Sequence, residues 1–143
     1  MSKDTLELLR ECDSGIKMAV GSIDEVSGRI KNTELKNLLE KSREEHDRIG
    51  REVREQLALI GDCGKDPGVV AKSMSWIKTN VKLGLNDTDK TVAGLMTDGC
   101  DMGIKSLIRY LNEYKGADGS SRSTARRIIG AEENLLSGLR AYL

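Results

Sequence analysis

The chain has 143 residues, 32% of them charged, with Lys+Arg and Asp+Glu balanced at 23 each. That length supports a buried core without metal or disulfide staples, and the even balance removes the basic surplus that a nucleic-acid binder needs. No apolar run approaches the ~20 residues of a membrane span, and a single Pro among abundant Leu, Glu, Lys and Arg points to an all-α chain.

The first segment, Met1-Ser2-Lys3-Asp4-Thr5, lacks the charged-then-apolar order of a signal peptide. Three cysteines without a CxxC pair do not make a disulfide framework. A cytoplasmic protein is the expectation.

Helix 1 is expected from about Asp4 to Ile30, with Leu6, Leu9, Ile16, Val20, Ile23 and Ile30 as its apolar stripe. Asp13 and Ser27 occupy stripe positions within it. Asn32-Thr33 caps helix 2, which continues to about Ile60 on Leu35, Leu38, Leu39, Ile49, Val53, Leu57 and Ile60. Ser42 and Glu45 fill the middle of that stripe, and Gly61 is placed to end the helix. The segment from about Asp62 to Asp87 is too long for a bare loop. Asp66-Pro67 is a cap followed by a first-turn proline, so a short helix carrying Val69, Val70, Met74, Trp76, Ile77 and Val81 should start there and end near Leu83-Gly84.

Helix 3 is expected from about Thr88 to Tyr114, with Val92, Leu95, Met96, Ile104, Ile108 and Leu111 inward. Gly116 to Ser123 reads as a turn. Helix 4 then runs to Leu143 on Ala125, Ile128, Ile129, Leu135, Leu136, Leu139 and Tyr142, with Glu132 in a stripe position. The result is a single domain, 1–143: a four-helix bundle of helix pairs 4–61 and 88–143 joined by a long helical crossover, 62–87.

An internal repeat supports that pairing. Cys12-Asp13-Ser14-Gly15-Ile16-Lys17 recurs as Cys100-Asp101-Met102-Gly103-Ile104-Lys105, with Glu25 on Glu113 and Gly28 on Gly116 at the same offset. Helix 4 matches helix 2 at an offset of 90 by its apolar pattern. At 88, Glu44-Glu45 falls on Glu132-Glu133, and both registers stay open. The recurring glycines predict a close antiparallel approach of helices 1 and 3 near Gly15 and Gly103.

Asp13, Glu45, Asp101 and Glu132 each interrupt a stripe near the middle of a different helix. One inward carboxylate per helix is how di-iron and di-manganese bundles build their sites. Salt bridges explain the same residues without a metal: Asp13–Lys17 and Asp101–Lys105 have the favourable i,i+4 order, and Glu45 has Arg48 nearby. His46, the sole histidine, is expected at the surface or boundary beside Glu45, since the Glu-x-x-His motif is completed at neither Glu45 nor Glu132. Cys12 and Cys100 read as small half-buried hydrophobes with no histidine at i±3 or i±4. Cys63, in the loop after helix 2, is expected to be exposed.

The Leu6-x-x-Leu9…Asp13-x-Gly15 opening, Glu34-Leu35-Lys36, Gly61, Trp76-Ile77-Lys78 and Asp98-Gly99 together resemble an uncharacterised bacterial ferritin-like family over nearly the whole chain. The resemblance implies a ferritin-like bundle of two related helix pairs, for many members without an assigned activity. Cys100 stands where better-characterised relatives of that fold carry a Glu, and their paired histidines are missing. The expectation is therefore a non-enzymatic structural, regulatory or protein-interaction module with a degenerate metal site and no cofactor. The alternative is an iron- or manganese-binding protein or oxidoreductase using Asp13, Glu45, Asp101 and Glu132, with His46. Trp76, Tyr110, Tyr114 and Tyr142 need burial partners, which a homo-oligomer or a protein partner would supply. No nucleic-acid or membrane partner is expected.

Overall fold

The computed structural model describes residues 2–66 and 88–143; the expected crossover helix lies outside the described residues. Among the described residues there are four α-helices and no strand. They are α1 (Lys3–Ser27), α2 (Thr33–Ala58), α3 (Thr88–Glu113) and α4 (Gly119–Leu139), with a 3₁₀ turn at Arg140–Tyr142. No described helix is long and apolar enough to cross a membrane.

Capping side chains set the starts. The Ser2 hydroxyl accepts from Thr5 N–H at 3.1 Å, Asn32 Oδ1 from Leu35 N–H at 3.0 Å, and Asp118 Oδ1 from Ser121 N–H at 2.8 Å. Each such cap is worth ~1 kcal/mol against Ala. At the end of α2, Gly61 N–H reaches the Ala58 carbonyl and Asp62 N–H the Leu57 carbonyl, with Gly61 at φ +72°. This is the Schellman ending that the glycine's place implied. The turn between α3 and α4 is shorter than expected, because Asp118 caps a helix that takes in Gly119 to Ser123.

Loop contacts give the helix directions. Asp4 accepts from Gly116 N–H, and Thr5 Oγ1 from Asp118 N–H, both at 2.8 Å. At the opposite end Asp89 accepts from Lys31 and Asn32 N–H at 2.8 and 3.0 Å. Helices α1 and α3 are therefore antiparallel. So are α2 and α4, joined by Arg127–Glu52 at one end and by Gly138 against Leu38 at the other. Helix α1 packs on α2 and α3, α4 packs on α2 and α3, and α1 meets α4 across the bundle. The chain leaves the described part at Asp66, held 3.1 Å from Lys17, and re-enters at Thr88 beside the α1–α2 turn. Asp66 thus stands part-way along the bundle, beside the middle of α1, and Thr88 at the end that carries the α1–α2 turn.

The core has two parts. One gathers Leu8, Leu9, Cys12 and Ile16 with Ile49, Val53, Leu57, Leu107, Leu111 and Ile128. The other gathers Ile23, Val26, Leu35, Leu39, Val92, Met96, Cys100, Leu135 and Leu139. Each fully buried Leu or Ile contributes roughly 1.5–3 kcal/mol. Along α2 and α4 a polar layer of Ser42, His46 and Glu132 separates the two.

Three sequence expectations are corrected. Helix α3 turns Cys100 and Leu107 inward, leaving Ile104 half-buried and Ile108 45% exposed. The register of α4 on α2 is neither 88 nor 90. Their caps, Asn32 and Asp118, lie 86 apart, and at that offset Leu35, Leu39, His46, Ile49 and Val53 map onto buried Ser121, Ala125, Glu132, Leu135 and Leu139. The close helix approach is made at Gly50, where a Cβ would stand 2.9 Å from Ile16 Cγ2. A Cβ on Gly15 would meet nothing within 4 Å, and one on Gly103 only Glu132 at 3.6 Å.

Candidate functional site

The polar layer follows from α2's buried face. Its positions 35, 39, 42, 46, 49 and 53 alternate by four and three, which turns His46 inward and leaves Glu45 half-buried. His46 is thus fully buried, not at the surface or boundary. Its Nδ1 lies 2.7 Å from the Ser42 carbonyl and 3.3 Å from the Ser42 hydroxyl, and Nε2 lies 3.0 Å from Glu132 Oε1.

A carbonyl can only accept, so Nδ1 carries a hydrogen. Burial alone pulls the imidazole pKa down. The bond to Glu132, its charge, the Ser42 carbonyl and the Glu45 charge outweigh burial and leave the pKa above its ordinary value. The pair is a buried histidine–carboxyl hydrogen bond with both ring nitrogens engaged, in surroundings that favour the imidazolium form.

The thiols are held protonated. Burial, then the charges of Glu11 and Asp13, push Cys12 up to about 12. Burial, then the Glu132 charge and a hydrogen bond to Glu132, push Cys100 higher still. The reactive thiolate is suppressed at both. Cys63 is exposed.

The candidate carboxylates are in different surroundings. Asp13 is fully buried, because the turn after α2 lies across it. Its Oδ2 accepts from Lys17 Nζ at 2.7 Å and from Lys65 N–H at 3.0 Å, and Oδ1 has no hydrogen-bond partner among the described residues. Gly64, at φ +87°, is what lets that turn come so close, since a Cβ there would stand 2.2 Å from Asp13 Oδ2. Asp101 is exposed, so the two aspartates of the repeat are not in equivalent environments. The structure brings together only Glu132 and His46 of the five residues. Among the described residues no three His, Cys, Asp or Glu side chains converge to hold a metal ion.

The same region opens on its other side into a groove of about 860 Å³ between α1 and α3. Gly15, Met18, Ala19 and Ile23 form one wall, Leu95, Met96, Gly99, Met102, Gly103 and Leu107 the other, and Ile128, Glu132 and Leu135 of α4 the floor. The recurring glycines therefore widen the space between these helices where a close contact was expected. Ion-paired Glu11 and Lys65, with Arg109 and Tyr110, stand at one end. A large, mostly apolar concavity with a few convergent polar groups is the usual form of a small-molecule site.

Comparison with protein-family models, curated proteins and solved structures finds no match to this chain. The functional reading accordingly rests on its own geometry.

Proposed function

We propose that this protein is a non-enzymatic, ferritin-like helical bundle acting as a binding module, which takes an apolar small molecule into the groove between α1 and α3. The observation that carries the reading is the groove itself: about 860 Å³ of mostly apolar lining, with both of its buried acids partnered, Glu11 by Lys65 and Glu132 by His46. The ferritin-like part draws on the antiparallel α1–α3 and α2–α4 pairs. The non-enzymatic part draws on the protonated thiols and on a histidine with both nitrogens committed to core partners.

Titration with the apolar dye anilinonaphthalene sulfonate tests the module directly. Saturable enhancement in the native protein, lost in Gly15→Leu, is the expected result. No enhancement in the native protein refutes it.

The second reading, iron or manganese binding, rests on the 3.0 Å approach of His46 to Glu132. A metal at that point would have to displace the hydrogen bond between them, with Asp101 exposed and Asp13 held by lysine. Anaerobic Fe(II) titration followed by air decides it: stoichiometric binding with an absorbance change on oxidation would favour the metal.

A further inference from the structure

We infer that the ligand of this groove is a single-chain amphiphile with an anionic head, its chain lying along α1 and α3 and its head at Arg109; this rests on the binding-module reading. The groove runs from Glu11 to Ile23 along α1, twelve residues or about 18 Å at the helical rise. A long slot between two antiparallel helices fits an extended chain.

Its walls suit such a chain as well. Gly15, Ala19, Gly99 and Gly103 supply width, and Met18, Met96 and Met102 are flexible thioethers that reshape around an aliphatic ligand.

Charge fixes the orientation. At the Glu11 end, Lys65 is ion-paired with Glu11. Arg109 faces only Tyr110 among the described residues, with Nη2 3.5 Å from the phenol oxygen and the guanidinium 5.2 Å from the ring centre. That end therefore carries one positive charge without a carboxylate partner among the described residues. Midway along the floor, Glu132 is already partnered by His46 at 3.0 Å. The far end, at Ile23, Leu95 and Met96, is apolar. An anionic head at Arg109 completes the pairing, and the tail is buried where no charge has to be desolvated.

The test uses the full-length protein, a fluorescent polyene fatty acid as reporter, and dodecanoate and dodecanol as competitors. Dodecanoate should displace the reporter stoichiometrically and more tightly than dodecanol. Arg109→Gln should weaken dodecanoate by about tenfold, the effect of one charge-assisted contact, and leave dodecanol unchanged. Gly15→Leu and, independently, Gly99→Leu should abolish binding of both while the helical melting curve stays cooperative. A Cβ at either glycine meets nothing within 4 Å, so both variants should fold. If dodecanol binds as tightly as dodecanoate, or Arg109→Gln affects both equally, the anionic head is wrong and the apolar module stands. If the native protein binds none of the three, both readings fall.

Discussion

Replacing Glu132 with Gln should invert the pH dependence contributed by His46. In the native protein Nδ1 donates to the Ser42 carbonyl and Nε2 donates to Glu132, and the imidazole pKa is raised in the folded state. A raised pKa contributes stability that is fully present below the unfolded value of ~6.5 and is lost as pH rises through the folded pKa. With Gln at 132, the side-chain amide can donate to Nε2 of a neutral ring, so both buried hydrogen bonds survive at pH 8. Exchanging a charged for a neutral hydrogen bond there should cost only ~1 kcal/mol. Burial, which pulls the pKa down, then has no carboxylate at 132 opposing it. The folded pKa drops below the unfolded one, and stability falls on acidification. At pH 5, about 1.5 units below the unfolded pKa, the loss reaches up to ~2 kcal/mol beyond the cost at pH 8. Urea denaturation of both proteins at pH 5 and pH 8 measures this, because every titrating group except His46 and the substituted Glu132 behaves alike in the pair. The native-minus-variant difference should grow from ~1 to ~3 kcal/mol or more as pH falls. An equal difference at the two pH values would show that His46 and Glu132 do not share a proton in the folded state.

Other consequences are local. Gly64→Ala should destabilise by roughly 2–4 kcal/mol in thermal melts, since it combines a left-handed backbone with a Cβ 2.2 Å from Asp13 Oδ2. Gly15→Ala should stabilise by up to ~1 kcal/mol through helix propensity alone. Gly50→Ala should cost ~1–3 kcal/mol through its clash with Ile16; melting curves of the two variants that shift the same way would contradict the packing described. Of the three thiols, only Cys63 should react quickly with Ellman's reagent in the native protein at pH 8, with Cys12 and Cys100 following only in urea. Two fast thiols would mean that one core cysteine is open to solvent.

The elements were legible because their signals are local. Asn32 caps α2, Gly61 closes it, and the apolar stripes run through α1, α2, α3 and α4. The site was harder to read because it depends on helix phase and on tertiary partners. Choosing Glu45 over His46 as the inward residue rotated α2 by one position. A histidine looks out of place in an apolar seam until its partner, 86 residues away, is known. The spacing 35, 39, 42, 46, 49, 53 carried the signal, and reading it strictly would have buried the ring. The repeat misled in another way. Nearly identical local sequence puts Asp13 and Asp101 on helices, but only the turn at Gly64 and Lys65 decides that Asp13 is covered. The glycines at 15 and 103 were read as contact makers, yet glycine serves equally to leave room, and their own stretch of helix does not distinguish the two uses.

The central claim, that the groove between α1 and α3 is a binding site, is tested most directly by methyl NMR of the protein labelled at methionine. Of its five methionines, Met18, Met96 and Met102 line the groove. On titration with dodecanoate, these three methyl signals should shift together and saturate at one equivalent. If the signals of Met18, Met96 and Met102 do not move at millimolar dodecanoate, the account is contradicted.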